Sequence, residues 1–362
     1  MIEPKEVLKK ISRAPTNTEG RVGRVMRLDH NERTTALPQS LLDAVWQTIS
    51  PEEVVAYPAL EGLYAKLAGS LGVKRENLLL TYGSDTAIRM VFDTYLNQGE
   101  ETIFLSPSYG MFAVYCDMFG GKKVTISYDA DFSLPVGRIL DKINEQTRLI
   151  FLADPNHTGT AMTQEDIIAV IKKAKTCGAL VIVDEAYHYF YDKTMLGHIG
   201  QFDNLIIIRT LSKAFGIAPL RVGYFVSNPG NIANLNKVKL THDITSVSAK
   251  FAEYLIDHPE IVNAHVRDVN AGKAYLTEAF ARLGGHVFPS VANFVFVRLP
   301  RDVEAKLLVK ALEEVNVWIK GPFQGPPVDG YIRITVGPEF QMREFMKHYE
   351  RVVLSLNGKA VC

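Results

Sequence analysis

Short apolar runs alternate with longer segments of helical periodicity along most of the chain. The apolar runs predict β-strands at 78–81, 102–105, 148–153, 180–184, 205–208, 222–226, 294–299 and 331–336. The periodic segments predict helices at 38–49, 87–96, 164–177, 232–240, 303–315 and 339–356, and a further long one from Val247. This alternation is typical of an α/β protein, and the elements after residue 247 form an α+β unit.

Composition and charge narrow the classes of partner that the chain can have. Its 362 residues allow two ordinary domains, or one large α/β domain with a smaller companion. Lysine and arginine together number 40, as do aspartate and glutamate, so no net field attracts nucleic acid or an anionic membrane. No apolar run is long enough to span a bilayer, and residues 1–11 are too charged for a signal peptide. We therefore expect a cytoplasmic protein without a nucleic-acid or membrane partner.

The cysteines and the first arginines give no sign of a site. Cys116, Cys177 and Cys362 are far apart and form no Cys-x-x-Cys pair, which indicates reduced thiols and not disulfides or metal ligands. No metal site is therefore predicted. Residues 1–27 are predicted to form a leading helix and then a basic stretch, whose arginines are expected to be solvated.

Residues 209–221 place a single lysine, Lys213, between two predicted strands. A lysine between buried strands loses solvation, which favours the neutral amine that attacks an aldehyde. The hydroxyls of Thr210 and Ser212 and the guanidinium of Arg221 suit a phosphate. From these residues alone, a surface loop with solvated lysine and arginine is an equally good interpretation.

Two other predicted strands end in polar side chains. Asp184 ends a wholly apolar strand, at the edge of an open α/β sheet where ligands bind. A buried carboxylate without a cationic partner is unfavourable, so a functional role is favoured for Asp184. Gly83 joins a strand to a helix that Ser84 or Asp85 is predicted to cap, with free N–H groups facing an anion. Most such turns only cap helices, so this phosphate signal is weak by itself.

Several of these segments resemble the fold-type I aminotransferases, which bind pyridoxal 5′-phosphate (PLP). The segment TLSKAFGIAPLRVGY, residues 210–224, is similar to the family's cofactor-lysine motif and looks most like its histidinol-phosphate aminotransferase branch. Further motifs follow in the family's order, from LDHNE at Leu28 to RITVG at Arg333. The resemblance thus extends over nearly the whole chain.

The resemblance implies a particular domain organisation. It assigns residues 54–245 to a large PLP-binding domain with a mostly parallel sheet flanked by helices. Residues 28–53 and 246–362 form a smaller α+β domain, and residues 1–27 form an N-terminal arm. Members of the family are homodimers with active sites at the interface, so a homodimer is expected here.

The resemblance also assigns roles around the cofactor. Lys213 carries the PLP and moves the proton during the reaction, while Asp184 pairs with the pyridinium nitrogen. Asn156 and Tyr187 hold the phenolic oxygen, and Tyr109 covers one face of the ring. The residues assigned to the cofactor phosphate are Ser84, Asp85, Thr210, Ser212, Arg221 and Tyr57, the last of which reaches the neighbouring subunit's site.

On the substrate side, the resemblance matches Arg333 to the arginine that binds the substrate anion. Lys320 lies where histidinol-phosphate relatives carry a second arginine for the substrate phosphate. His242 replaces part of a proline–aromatic pair near the substrate entrance. The expected reaction moves an amino group between an amino-acid donor and a small, phosphorylated amine or ketone, with a keto acid as acceptor.

The loop 154–160 departs from the family pattern. It is one residue shorter than in relatives and has His157 where they have proline. His157 is either an acid or base, or an ordinary solvated loop histidine. Because a cis peptide before a residue other than proline is unfavourable by about 3–4 kcal/mol, the Asn156–His157 bond is predicted to be trans.

Two other functions stay open. A related branch decarboxylates phosphorylated amino acids such as threonine phosphate or serine phosphate with nearly the same cofactor residues, and carbon dioxide release would identify it. Some regulators use an aminotransferase-like domain only to sense PLP. They carry a DNA-binding domain in front, and no basic helix-turn-helix pattern precedes the first predicted sheet strand here.

Overall fold

The computed structural model describes residues 2–3, 5–9, 11, 21–356 and 358. Cys362 and residues 12–20 of the predicted arm lie outside this part. The helices are α1 (Glu6–Lys9), α2 (Gln39–Trp46), α3 (Pro51–Val55), α4 (Glu61–Leu71), α5 (Gly83–Tyr95), α6 (Met111–Met118), α7 (Val136–Lys142), α8 (Gln164–Thr176), α9 (Pro229–Asn236), α10 (Ser246–Asp257), α11 (Pro259–Arg282), α12 (Ala305–Glu314) and α13 (Glu339–Leu356). The strands are β1 (Met26–Leu28), β2 (Leu78–Tyr82), β3 (Glu101–Ser106), β4 (Lys122–Ser127), β5 (Thr147–Ala153), β6 (Leu180–Asp184), β7 (Leu205–Thr210), β8 (Val222–Ser227), β9 (His286–Val287), β10 (Phe294–Arg298), β11 (Val317–Ile319) and β12 (Ile332–Thr335).

A seven-stranded sheet forms the centre of the molecule, in the order β2-β8-β7-β6-β5-β3-β4. Strand β8 is antiparallel to both of its neighbours, and the other neighbouring strands are parallel. Alternate residues of β6 enter different cores: Val181 and Val183 pack with helix α8, whereas Ile182 packs with helix α5. Because both faces of the sheet are covered, β6 is apolar up to its last residue, Asp184, as the sequence predicts.

A smaller unit of two sheets packs beside the central sheet. Strands β12, β10 and β9 form an antiparallel sheet, and β1 pairs in parallel with β11. Helix α11 packs on α13 and β9, and α12 packs on β11 and α13. Phe132, from the loop after β4, joins the aromatic cluster of Phe294 and Phe296 and so links the two units. This is the predicted α/β architecture with a smaller α+β part, and its domain boundaries stay a prediction.

Most element boundaries lie within a few residues of their predicted positions. Helix α13 has the predicted limits, and Gly178 follows α8 with a φ of +71°, as a helix stop does. The predicted cap at Ser84 or Asp85 is wrong, because α5 already begins at Gly83, and its N-cap residue, Tyr82, makes no side-chain cap bond. In the described residues, no helix is both long and apolar enough to cross a membrane.

Candidate active site

A cavity of about 410 Å³ opens at the carboxyl ends of β5, β6 and β7, where an open α/β sheet binds its ligands. It brings together side chains from both units of the molecule. The predicted site residues that line it are Ser84, Asp85, Tyr109, Asn156, Asp184, Tyr187, Thr210, Ser212, Lys213, Arg221 and Arg333. The sequence pattern therefore selected residues that are far apart in the chain and close together in space.

Three predicted residues do not line this cavity. Tyr57 is 80% exposed, and its ring stacks on that of His242 at 4.1 Å between centroids, with an angle of 13° between the planes. Lys320 is exposed and joined to Arg333 only through the backbone, with N···O distances of 3.1 and 2.7 Å. The structure of a single chain does not test the roles assigned to these three residues, which stay predictions.

Lys213 lies in the loop that follows β7. Its amine donates a hydrogen bond to the backbone carbonyl oxygen of His30 at 3.1 Å. Burial, and then the charge of Arg333, lower the pKa of Lys213 to about 8. About a tenth of this amine is therefore neutral and nucleophilic at pH 7, far more than of a solvated lysine.

Asp184 is the last residue of β6 and is 6% exposed. Its Oδ1 accepts a hydrogen bond from the backbone N–H of Ala186 at 3.1 Å. Burial raises the pKa of Asp184 to about 6, since the charged carboxylate loses solvation. A protonated ring nitrogen placed against this carboxyl group would stabilise its charged form.

One corner of the cavity is rich in hydrogen-bond donors. The hydroxyl of Thr210 donates to Ser212 Oγ at 2.9 Å, and Arg221 Nη1 lies 3.4 Å from the same oxygen. Ser84 adds a hydroxyl from the first turn of α5. A Cβ on Gly83 would lie 2.4 Å from Arg221 Nη2, so only glycine leaves room for the guanidinium here. This cluster of donors and positive charge suits a phosphate.

Tyr187 and Asn156 approach the middle of the cavity. The hydroxyl of Tyr187 accepts a hydrogen bond from Asn31 Nδ2 at 2.8 Å, so its own proton is free to be donated. The Asn156 amide is oriented by its neighbours: Nδ2 donates to Thr160 at 2.9 Å, and Oδ1 accepts from Thr158. The second N–H of Nδ2 is left for a ligand oxygen.

Tyr109 stands at the rim of the cavity, and its hydroxyl donates to Asp85 at 3.2 Å. Tyr115 donates to the other oxygen of the same carboxylate at 3.0 Å. Because two phenols bind this carboxylate, Asp85 accepts their hydrogen bonds and does not cap the helix as predicted. Burial and the Asp85 charge raise the pKa of Tyr109, which keeps its ring neutral.

Arg333 is 7% exposed, and its Nη2 donates to the backbone carbonyl oxygen of Asp29 at 3.0 Å. His157 Nε2 lies 3.5 Å from Arg333 Nη1. Burial, followed by the charges of Arg333 and Lys320, lowers the pKa of His157 to about 3. His157 is half-buried, lines the cavity and contacts Arg333, so its interpretation as an ordinary solvated histidine is wrong; the Asn156–His157 peptide is trans, as predicted.

The segment after β1, which includes most of the LDHNE motif, contains site residues to which the sequence assigned no role. His30, Asn31 and Glu32 all line the cavity. Arg21, predicted to be solvated, is 8% exposed and forms two hydrogen bonds to Asp29, at 2.8 and 3.0 Å, and one to Glu32 at 2.7 Å. Asp29 and Glu32, which follow this basic stretch closely, were the available signal that Arg21 and Arg27 are paired.

Residues 26–348 match the aminotransferase class I and II family, and the chain belongs to this family. Histidinol-phosphate aminotransferase of Caldanaerobacter subterraneus subsp. tengcongensis is 32% identical over 315 residues, which cover 86% of this chain and 88% of that protein. The predictions of a fold-type I PLP enzyme, of aminotransferase activity and of PLP as the cofactor are confirmed by this membership.

Solved structures share the fold. Histidinol-phosphate aminotransferase from Sinorhizobium meliloti, in complex with PLP, superimposes with a TM-score of 0.86 at 23% identity, covering 98% of this chain and 99% of that one. L-threonine-O-3-phosphate decarboxylase from Porphyromonas gingivalis gives a TM-score of 0.76 at 21% identity, covering 92% and 99%.

Proposed function

We propose that the protein transfers the amino group of a small phosphorylated amine, of the histidinol-phosphate type, to a keto acid, and the reverse. The observation that carries this proposal is the presence of Lys213 and Asp184 in one cavity, with pKa values of about 8 and about 6. An amine that is partly neutral and a buried carboxyl group are complementary to the aldehyde and the pyridine nitrogen of PLP. The relative that is 32% identical supports the substrate class.

The residues present fit PLP at each of its polar groups. Ser84, Thr210, Ser212 and Arg221 would hold the phosphate, with Asp85 beside them. Asp184 would face the ring nitrogen, and Asn156 and Tyr187 would donate to the phenolic oxygen. When bound, the cofactor supplies an electron sink that stabilises negative charge at the substrate carbon.

The side chains of this chain would then carry out the remaining steps. The amine of Lys213, with a pKa of about 8, can take a proton from the substrate Cα and then donate it to the carbon of the cofactor to which the substrate nitrogen would be bound. Arg333 binds the substrate carboxylate through its planar fork of N–H donors. Tyr109 covers one side of the cavity and excludes water from the reacting atoms.

We also propose a homodimer in which Tyr57 reaches the neighbouring active site. Its 80% exposure and its position outside the chain's own cavity support this role. His242, which stacks on Tyr57, would then lie near the substrate entrance, and Lys320 would contact the distal phosphate. The cytoplasmic location and the domain boundaries at residues 53 and 245 are proposed from the sequence alone.

A decarboxylase of phosphorylated amino acids is the second candidate, favoured by the TM-score of 0.76 to L-threonine-O-3-phosphate decarboxylase. The two are separated by mixing the holoenzyme with L-histidinol phosphate, L-histidinol or L-threonine phosphate. Cofactor absorbance and released carbon dioxide are followed, with L-histidinol as the control that lacks phosphate. We expect L-histidinol phosphate to convert the cofactor to its amine form. Carbon dioxide release from L-threonine phosphate without a keto acid would favour the decarboxylase.

A further inference from the structure

Arg333 is a buried cation without a counter-charge. It is 7% exposed, and none of the ion pairs formed within the described ranges includes it. Asp29 offers Arg333 only its backbone carbonyl, because the Asp29 carboxylate is bound by Arg21 at 2.8 and 3.0 Å. The positive charge of Arg333 therefore stays available to an anion in the cavity.

His157 approaches this guanidinium from the loop after β5. Since arginine can only donate, the 3.5 Å contact makes His157 Nε2 the acceptor and puts the ring proton on Nδ1. The imidazole lies edge-on to Phe296 and Phe323, with centroid distances of 6.3 and 6.1 Å. With a pKa lowered to about 3 by burial and by the charges of Arg333 and Lys320, the ring is neutral at working pH.

The guanidinium is restrained on its faces as well as its edges. The rings of Phe294 and Phe323 lie 5.2 and 5.8 Å from its central carbon. His157 restrains one edge, and the Asp29 carbonyl restrains another. Both hydrogen-bond acceptors are neutral, so they orient Arg333 without cancelling its charge. A carboxylate in the position of His157 would cancel that charge, and a purely apolar ring would leave Nη1 unrestrained.

We propose that His157 is a positioning residue for substrate binding: its Nε2 lone pair holds the Arg333 guanidinium toward the cavity and leaves the positive charge free for a substrate carboxylate. The proposal rests on the aminotransferase function above and adds a residue that strengthens the binding of a substrate carboxylate. It also gives a physical reason for a histidine at this position of the loop after β5.

The test compares three substitutions, each of which separates one property of the ring. His157→Phe keeps an aromatic ring but removes the acceptor, His157→Gln keeps a neutral acceptor, and His157→Glu adds a negative charge. His286→Phe makes the same change at an exposed histidine outside the cavity and is the matched control. Each holoenzyme is titrated calorimetrically with maleate, a non-reacting dicarboxylate, and studied in single turnovers with L-glutamate. Crystal structures locate the Arg333 side chain.

We expect His157→Phe to weaken maleate binding and raise the apparent Kd for L-glutamate about tenfold, as loss of one bond to a charged donor does. His157→Glu should weaken both about a hundredfold, because it neutralises Arg333. His157→Gln should recover most of the affinity. The limiting rate constant should change by less than about threefold throughout, since the residue acts on binding. Arg333 should move in the Phe variant and keep its place in the Gln variant.

Equal affinities in the wild type and His157→Phe, or an unmoved Arg333 in that variant, would overturn the proposal. A wild type that binds no maleate would also overturn it, because the site would then not be open to an anion. A wild type that binds maleate but transfers no amino group would instead contradict the proposed function, and the binding and crystallographic comparisons would still decide the role of His157.

Discussion

The side-chain amine of Lys213 donates a hydrogen bond to the backbone carbonyl oxygen of His30 at 3.1 Å. Residue 213 follows β7 and residue 30 follows β1, so the bond joins the central sheet to the smaller unit. A neutral carbonyl positions the amine without the strong preference for the charged form that a carboxylate would impose. The amine is thereby held at the cavity and is still able to react as a nucleophile.

Replacing Lys213 by alanine should abolish the visible absorbance band of the lysine-bound cofactor, although PLP could still bind through its phosphate contacts. Borohydride reduction of the wild type followed by peptide mass spectrometry should find the cofactor on Lys213. Lys273 is the matched control, since burial lowers its pKa to about 8 as well, but it donates to the carbonyls of Ser290 and Ala292. Lys273→Met should keep the band. Attachment to Lys273 or any other lysine would disprove the assignment.

The rate at which the cofactor-free protein attaches PLP should depend on pH through Lys213. The neutral amine is the reacting form, and its pKa is lowered to about 8 by burial. The attachment rate should therefore rise as pH increases and level off above about pH 8. A solvated lysine, with a pKa near 10.4, would give a rate that still rises at about pH 10. Stopped-flow absorbance from pH 6 to pH 10 distinguishes the two profiles.

Arg333 and Lys320 should affect different substrates. Arg333→Ala should lower kcat/KM about ten- to a hundredfold for amino-acid donors, because a charged hydrogen bond contributes roughly 1.5–3 kcal/mol. Lys320→Ala should spare the half-reaction with an unphosphorylated amino acid and impair the one with a phosphorylated amine. Single-turnover cofactor kinetics on both variants measures this. Equal losses for Lys320→Ala on both substrate types would remove the argument for a phosphate pocket at Lys320.

Tyr57 should complete the site of the partner subunit. When Lys213→Ala and Tyr57→Ala chains are co-expressed, each mixed dimer contains one site with both residues intact. About a quarter of wild-type activity should return, since half of a random mixture is mixed dimer with one intact site of two. Lys213→Ala with Asp184→Ala is the control, because both residues line the same chain's cavity and no intact site can form. Recovery no greater than in the control would contradict a shared site.

Part of this site could be predicted because its residues end regular elements. Asp184 ends β6 and Lys213 lies in the loop after β7, and parallel strands bring their carboxyl ends to one edge. Asn31 and Arg21 lie in irregular backbone, where periodicity carries no information. The bond from Asn31 to Tyr187 joins residues 156 positions apart, and such pairings depend on the folded chain.

His157 is a further residue whose contacts could not be predicted from the sequence. The trans peptide bond before His157 was predicted correctly. The contact to Arg333 crosses 176 positions, and its burial follows from the aromatic cluster of the smaller unit. The sequence alone gives no sign that a loop histidine makes this contact or is buried in this way.

Transfer of a heavy-nitrogen label is the most direct test of the proposed function. Holoenzyme is incubated with labelled L-histidinol phosphate and α-ketoglutarate, and the products are identified by mass spectrometry, with Lys213→Ala as the control. We predict labelled glutamate together with the phosphorylated ketone, and neither product from the variant. The absence of labelled glutamate, with L-histidinol phosphate unchanged, from a protein whose cofactor is bound at Lys213 would contradict the proposed transfer between this substrate class and a keto acid.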